Sequence, residues 1–385
     1  MVVFEVGQNR YRGRDRWNNR SDYSGEPRFW LDESHSNHRD AGFSDDWGAS
    51  IAMRRVFLFL AALSSIHSLP GQPSGVSGPV EGFTFDAPTR SIRAVIGSLG
   101  SASLGPAVLN QLDFASVAPR QDYGVAFRRG QFLFVSQLGA GQISVASLQE
   151  PSSAPEGVVW SDDGSVAVLY SQTGGWIQTY TGFPAAVNPG SQISISALGG
   201  SLSAIATDVH GRSVTIGVTG DHAGVYVITG GQGFVRLLDI SNPVALAFSA
   251  DGGTLYALDG VTNQAFELNM ASFALQTWPL GTEDAVAIIA ARNASNLNVL
   301  YVAGRGDHLL LAFDPSTHQQ IASVPLSFAP TAIQRLGSNS FLLRPRTSNS
   351  DPLWSFTNGS QPLVYFVPAT PLTNYIETSR EVRPR

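Results

Sequence analysis

A repeat of about 42 residues constrains the fold of this chain more than any other feature. Its clearest copy follows Pro243, where VALAFSADG, TLYALDG, QAFELNM and FALQTWPL are four short β-rich runs separated by turns. The first two runs are joined at Asp251-Gly252, a dipeptide that suits a tight hairpin because glycine adopts positive φ without steric cost. Equivalent turns recur near positions 122, 164, 211, 252, 295 and 337.

The spacing of these turns predicts a β-propeller. Consecutive turns lie 42, 47, 41, 43 and 42 residues apart, and four short strands at such a period are typical of propeller blades. First strands such as VALAF and AVAII are continuous apolar runs, as expected for strands buried on both faces. We therefore predict an all-β propeller of seven four-stranded antiparallel blades, with six blades and an N-terminal extension as the alternative.

The region before the first clear unit is the least regular. GFTFDAPTRSIRAVIG, residues 82–97, matches the pattern of the third and fourth strands of the unit at Pro243. The following SLGSASLGPAVLNQLD has room for one or two more short strands. We expect an irregular first or closing blade, and we expect the N-terminal strands to help close the ring because a propeller has to protect its sheet edges.

The composition changes near residue 52. Residues 1–52 hold 7 Arg and 9 acidic residues and lack a regular apolar period, so we expect them to be disordered or a mis-assigned upstream extension. Residues 53–70, MRRVFLFLAALSSIHSLP, have the arginine pair, short apolar run and small residues of a secretory signal peptide. We therefore expect translation to start at Met53, a propeller over 71–368 and a polar tail over 369–385.

Composition also limits the compartment and the partners. The chain has no cysteine and no lysine, which excludes disulfides, thiolate nucleophiles and lysine Schiff bases. Residues 69–385 carry 15 Arg and 21 acids, a net charge of −6, and this opposes nucleic-acid binding. We expect a secreted or periplasmic bacterial protein that acts as a monomer without a transmembrane helix.

The string FSADGGTLYALDG resembles the repeat of YVTN-type and TolB-like bacterial propellers. The segment LYVAGRGDHLLLAFDPST is similar in the same way, with a strand, a loop, a strand and an Asp-Pro-Ser-Thr turn. The chain also looks like secreted propellers of soil bacteria. The resemblance covers residues 114–368 and implies the fold, export and a surface or binding role. It identifies no catalytic residue, since the shared residues are turn and core positions.

Candidate binding residues cluster in the loops of one propeller face. In this fold, the loops between second and third strands share a face with the segments that link blades. Two of the former carry the same dipeptide, Asp221-His222 and Asp307-His308. A carboxylate beside an imidazole can hold a divalent metal or share a proton. The alternative is that each Asp completes its Gly-Asp turn and each His is a solvated neighbour.

The segments that link blades contribute Glu156, Asn242, Glu283 and Asp284. Lactonase-like propellers bind calcium through Glu, Asn and Asp side chains at this face, and a hard cation needs six to eight oxygen ligands. We therefore treat Glu156 and Asn242 as candidate metal ligands, and Glu283 and Asp284 as candidates at the channel mouth. The same residues also suit ordinary positions at the start of strands.

Two hypotheses about function follow from the sequence. The first is a non-catalytic binding scaffold for a protein, a glycan or an envelope component, with no cofactor. The second is a lactonase-like or other hydrolase with Ca²⁺ or another divalent metal at the channel mouth. The sequence lacks H-E-x-x-H, G-x-S-x-G and G-x-G-x-x-G motifs, which favours the first.

Overall fold

The chain forms a seven-bladed β-propeller, as predicted, in a computed structural model that describes residues 78–229, 233–293, 295–359 and 361–369. The blades are antiparallel sheets that follow one another along the chain. Six have four strands, and the first has three among the described residues. The predicted signal peptide, the segment before it and nearly all of the polar tail lie outside the described residues.

Blades 1 to 4 span residues 80–238. Their strands are β1 (Val80–Asp86), β2 (Ser91–Ile96) and β3 (Ser103–Leu109) in blade 1; β4 (Phe114–Val117), β5 (Tyr123–Arg128), β6 (Gln131–Ser136) and β7 (Ser144–Ser147) in blade 2; β8 (Gly157–Trp160), β9 (Val166–Ser171), β10 (Trp176–Thr181) and β11 (Asn188–Ser194) in blade 3; and β12 (Gly200–Thr207), β13 (Val214–Gly220), β14 (Gly224–Thr229) and β15 (Gly233–Leu238) in blade 4.

Blades 5 to 7 span residues 243–367. Their strands are β16 (Pro243–Phe248), β17 (Thr254–Asp259), β18 (Gln264–Asn269) and β19 (Leu275–Pro279) in blade 5; β20 (Ala285–Arg292), β21 (Asn298–Gly304), β22 (Leu309–Asp314) and β23 (Gln319–Pro325) in blade 6; and β24 (Gln334–Arg335), β25 (Ser340–Arg344), β26 (Leu353–Thr357) and β27 (Val364–Val367) in blade 7. Two 3-10 helices, Ala87–Thr89 and Ser196–Leu198, are too short to cross a membrane, and no helix of the described residues is long enough.

The core lies between neighbouring blades rather than at one centre. Tyr256 and Leu258 of blade 5 pack against Leu300 and Val302 of blade 6, and these four side chains are almost fully buried. Similar clusters join each blade to the next around the ring. Burying one such side chain stabilises the fold by about 1.5–3 kcal/mol, so the regular repeat builds one continuous core.

The Asp-Gly turns of the repeat are held by a serine and an aspartate. In blade 5, the Ser249 hydroxyl donates to Asp251 Oδ1 at 2.5 Å and accepts the Thr254 N–H at 2.9 Å. In blade 3, Ser161 bonds Asp163 Oδ1 at 2.7 Å in the same way. The motif therefore has a structural role, because its side chains satisfy the backbone groups of the turn.

The strand directions define two faces of the ring. We call the face that carries the blade-linking segments and the loops between second and third strands the linker face. The opposite face, with the turns between first and second strands, is the turn face. In blades 2 to 7 the innermost strand therefore runs from the linker face to the turn face.

Strand β1 runs in the opposite direction. At its start, a side chain at Gly82 would collide with the Leu336 carbonyl, and the Phe83 N–H donates to Gln121 Oε1 at 2.5 Å, both on the turn face. At its end, Asp86 lies 2.9 Å from Arg346 in the β25–β26 loop on the linker face. By direction, β1, β2 and β3 therefore correspond to the second, third and fourth strands of a complete blade.

This direction corrects one expectation. We expected residues 82–97 to match the third and fourth strands of a blade. This expectation is wrong by one strand, because the residues form β1 and β2, which correspond to the second and third strands. The cause is that any two neighbouring strands of a blade form an antiparallel hairpin with similar apolar alternation, so the pattern does not fix the radial position. The N-terminal strands do complete the ring, as a blade of their own that packs Val95 and Leu104 against Leu342 and Leu353 of blade 7.

Candidate functional site

The structure places the predicted loop residues on the linker face with exposed side chains. Asp221 and His222 lie in the β13–β14 loop, and Asp307 and His308 lie in the β21–β22 loop. The two dipeptides belong to blades 4 and 6, with blade 5 between them. The grouping on one face agrees with the expectation from strand order.

Asp307 is held by the segment that links blades 5 and 6. Its Oδ1 accepts the Thr282 hydroxyl at 2.7 Å, and its Oδ2 accepts the Glu283 N–H at 3.2 Å. Thr282 is buried, so the carboxylate satisfies a donor that water reaches poorly. Asp307 therefore holds the segment between blades 5 and 6 against the β21–β22 loop, with Glu283 beside that contact.

Asp284 forms a two-point ion pair with Arg305. Its carboxylate oxygens lie 2.6 and 3.0 Å from Nε and Nη2 of the guanidinium. The hydrogen bond to Asp284, and then its charge, raise the pKa of Arg305. Both side chains are about half exposed, so the pair contributes little stability and orients two charges at the surface.

The histidines of the two dipeptides form hydrogen bonds through their backbone carbonyl groups. The His222 carbonyl accepts the Tyr226 hydroxyl at 2.8 Å, and the His308 carbonyl accepts the Leu326 N–H at 2.7 Å. His308 also has a positive φ of 56°. These bonds hold the loops in shape while both rings stay exposed.

The two candidate metal ligands hold their own loops. Glu156 accepts hydrogen bonds from the Gln172 N–H at 3.0 Å and the Ser171 hydroxyl at 3.0 Å, and it also bonds the Thr173 hydroxyl. The bond from Thr173 is the main cause that lowers the pKa of Glu156. The Asn242 N–H donates to Asp259 at 3.2 Å. Both residues thus connect a linker to the loop beside it.

The structure brings some of the predicted residues together and leaves others apart. Glu283, Asp284 and Asp307 share the contact between one linker and one loop. Glu156 lies in the segment that leads into blade 3, and Asn242 in the one that leads into blade 5. Among the described residues, no three His, Asp or Glu side chains are grouped closely enough to hold a metal ion.

An acidic sector covers the linker face of blades 4 to 6. We define it by five exposed acids and two arginines: Asp221, Asp239, Glu283, Asp284, Asp307, Arg236 and Arg305. Five negative and two positive charges leave a net charge of −3 with the histidines neutral. Arg236 lies 2.5 Å from Asp239, so the arginines are already paired and the remaining acids face solvent.

A central channel runs along the innermost strands of all seven blades. Its volume is about 690 Å³, and its wall is mainly aliphatic and aromatic, with Phe85, Val158, Ile205, Val244 and Ile333 from five different blades. These side chains are partly exposed, although neighbouring residues of the same strands are buried. Cavities of this size and polarity are typical of small-molecule sites.

An ion pair crosses the channel mouth on the turn face. Arg335, at the end of the innermost strand of blade 7, lies 2.6 Å from Asp162 in the first turn of blade 3. Both residues line the channel. Blades 7 and 3 are not neighbours in the ring, so this pair spans the mouth. No sequence motif marks either residue, because nothing in the repeat links positions 173 residues apart.

The second arginine of the channel wall, Arg346, is engaged by the protein. It donates to Asp86 Oδ1 at 2.9 Å and to the carbonyls of Asp351 and Asn349 at 2.7 Å each. Its side chain is only 2% exposed. Arg346 therefore closes the ring between blades 7 and 1, and Arg335 is the arginine of the wall that a ligand can reach.

Several solved structures have folds similar to this chain at low sequence identity. The chain is similar to a dihydro-heme d1 dehydrogenase, NirN, with 12% identity, a TM-score of 0.50, and coverage of 80% of this chain and 67% of that one. It is similar to a chain of the mitotic checkpoint complex with 14% identity, a TM-score of 0.50, and coverage of 87% and 90%. No protein-family model and no curated protein matches the chain.

A third similar structure is KlHsv2 with loop 6CD replaced by a Gly-Ser linker. It has 10% identity and a TM-score of 0.50, with coverage of 75% of this chain and 98% of that one. At such identities, the likeness establishes the β-propeller fold and leaves the function to the chain's own residues.

Proposed function

We propose that this protein is an exported, non-catalytic binding scaffold that takes a basic protein partner at the acidic sector. The observation that carries the proposal is the sector itself, with five exposed carboxylates on the linker face of three neighbouring blades. A surface of negative charge attracts a positively charged partner and raises the rate at which the two associate.

The loops that carry these charges are fixed before a partner arrives. Asp307 bonds Thr282 and Glu283, and Asp284 is held by Arg305 at two points. Binding residues on loops positioned by a rigid scaffold lose little conformational entropy on association.

We include in the proposal a YVTN- or TolB-like bacterial origin and export directed by residues 53–70. N-terminal sequencing of the exported protein tests the second point, since a peptide from residues 1–50 would contradict it.

Charge reversal tests the binding surface. Asp221 and Glu283 are exposed members of the sector, so Asp221→Arg with Glu283→Arg should abolish retention of the partner from an envelope extract on immobilised protein. The matched control is Asp122→Arg with Glu150→Arg, which changes the net charge equally on exposed residues outside the sector. Retention by the control and loss by the sector variant, with the partner identified by mass spectrometry, supports the proposal. Equal retention by both contradicts it.

The second candidate function is a hydrolase with a divalent metal at the linker face. The observation that favours it is that Glu283, Asp284 and Asp307 share the contact between one linker and one loop, although their side chains are not grouped as a metal site among the described residues. A metal that binds the folded state raises the melting temperature by mass action. A rise with Ca²⁺ that Glu283→Gln with Asp284→Asn removes would favour this candidate over the scaffold.

A further inference from the structure

We propose that the central channel binds an amphipathic organic anion, an alkyl chain with one carboxylate, whose carboxylate replaces Asp162 on Arg335 at the turn-face mouth. This site is on the opposite face from the acidic sector and does not depend on a partner there.

The wall suits an apolar chain. Side chains such as Phe85, Ile205 and Val244 come from different blades and meet around a volume of about 690 Å³. An apolar ligand in this space removes both its own surface and that of the wall from water, which is favourable in proportion to the buried apolar area.

The charge at the turn-face mouth selects an anion. The described channel wall contains two arginines, and one of them, Arg346, is buried and bonded to Asp86 and two carbonyls. Arg335 is 20% exposed, and its one carboxylate partner in the structure, Asp162, is 47% exposed. A guanidinium fork matches a carboxylate at two points, so a carboxylate ligand can take the place of the half-exposed Asp162.

The arginine, rather than the aspartate, is the fixed member of the pair. Its guanidinium lies over the Phe341 ring, 5.1 Å from the ring centroid, and Phe341 is fully buried. Asp162 belongs to a surface turn whose serine bonds involve the neighbouring Asp163 instead. Exchange of Asp162 for a ligand carboxylate therefore keeps the arginine in place and opens the mouth.

The experiment uses decanoate as the probe, with 1-decanol as a neutral probe of equal chain length and acetate as an anion without the chain. Binding is followed by tryptophan fluorescence, since Trp160 lines the channel. We expect saturable binding of decanoate and none of acetate. Arg335→Met should weaken decanoate binding by about tenfold or more, because a charged hydrogen-bonding partner is lost. It should change 1-decanol binding by less than about threefold.

Asp162→Asn provides an independent arm that retains the arginine. It removes the competing carboxylate, so decanoate should bind several times more tightly than to the wild type. Ala290→Phe, which places a ring in the channel wall, should abolish binding of both probes. Melting curves establish that each variant is folded. Equal decanoate affinity for the wild type and Arg335→Met, no tightening in Asp162→Asn, or no decanoate binding at all would each overturn the proposal.

Discussion

The guanidinium of Arg346 lies 2.9 Å from the carboxylate of Asp86, and the two side chains are 2% and 1% exposed. They are 260 residues apart in sequence, and they join the last blade to the first. Asp86 also accepts the Thr89 hydroxyl at 2.6 Å and lies 3.3 Å from Arg93. The ring is thus closed by a buried, fully bonded ion pair as well as by apolar packing.

Removing one partner of this pair should destabilise the propeller strongly. Asp86→Ala leaves Arg346 buried without its carboxylate, and breaking a buried pair in this way typically costs about 3–5 kcal/mol. Urea denaturation followed by circular dichroism measures the free energy of unfolding. The control is Asp284→Ala, which breaks a half-exposed pair and should cost at most about 1 kcal/mol. Similar losses in the two variants would contradict this account of ring closure.

Three buried tyrosines should make the fold sensitive to alkali. Burial raises the pKa of Tyr123, Tyr180 and Tyr301 from 10.0 to about 12 in each case. Their protonated hydroxyls donate to backbone or side-chain oxygens at 2.8–2.9 Å. The stability from these groups is present below pH 10 and is lost as pH rises from 10 towards about 12.

Tyrosinate absorbance and circular dichroism, recorded on the same samples, test this point. Ionisation of these residues should coincide with the loss of β structure. If tyrosinate absorbance reached its full amplitude near pH 10 with the fold intact, the burial of these hydroxyls would be refuted.

Asp163 should stabilise the fold near neutral pH and lose this contribution in acid. Burial raises the pKa of its carboxyl, but hydrogen bonds from His210, Ser165 and Ser161 outweigh that effect and lower the pKa from 3.8 to about 2. The contribution is therefore present above pH 3.8 and is lost as pH falls towards about 2. Asp163→Asn should lower stability near neutral pH and flatten the pH dependence over this interval, as measured by urea unfolding at each pH. Asp239→Asn, at a side chain 88% exposed, should leave the profile unchanged.

Blades 5 and 6 share a stacked pair of rings that can be tested directly. His318 stacks on Trp278 with ring centroids 4.2 Å apart, and its Nε2 lies 2.7 Å from Glu267. His318→Ala should lower the free energy of unfolding by about 1 kcal/mol, the usual contribution of such a ring pair, and shift the tryptophan emission. His222→Ala, at an exposed loop ring, should change stability by less than about 0.5 kcal/mol. Equal effects would argue against the stack.

The sequence predicted the parts of the fold that local pattern encodes. The turns between first and second strands give the period, and the turn at Asp251-Gly252 connects β16 to β17 as expected. Asn358 lies in the loop between β26 and β27, and its burial and its bond to Tyr301 of blade 6 were not predicted from the sequence. That bond depends on how blades pack, which a repeat pattern does not contain.

Contacts between residues far apart in the sequence could not be predicted in the same way. The direction of β1 is shown by the ion pair of Asp86 with Arg346 and by the close approach of Gly82 to Leu336. Both contacts join residues from opposite ends of the described chain. The candidate residues of the linker face were placed on the correct face because strand order alone fixes the face. Their bonding, such as Asp307 to Thr282, depends on side-chain geometry that sequence spacing leaves open.

The reversed direction of β1 determines where the described chain enters and leaves the ring. Pro79 accepts the Gly97 N–H at 2.8 Å on the turn face, whereas β27 ends at Val367 opposite Leu353 on the linker face. The described chain thus has 27 strands, an odd number, and crosses the disc once more in one direction than in the other. A tether attached upstream of residue 78 would hold the disc by its turn face and display the acidic sector outward. A protein domain fused after residue 369 would lie beside that sector and compete with the proposed protein partner for the surface.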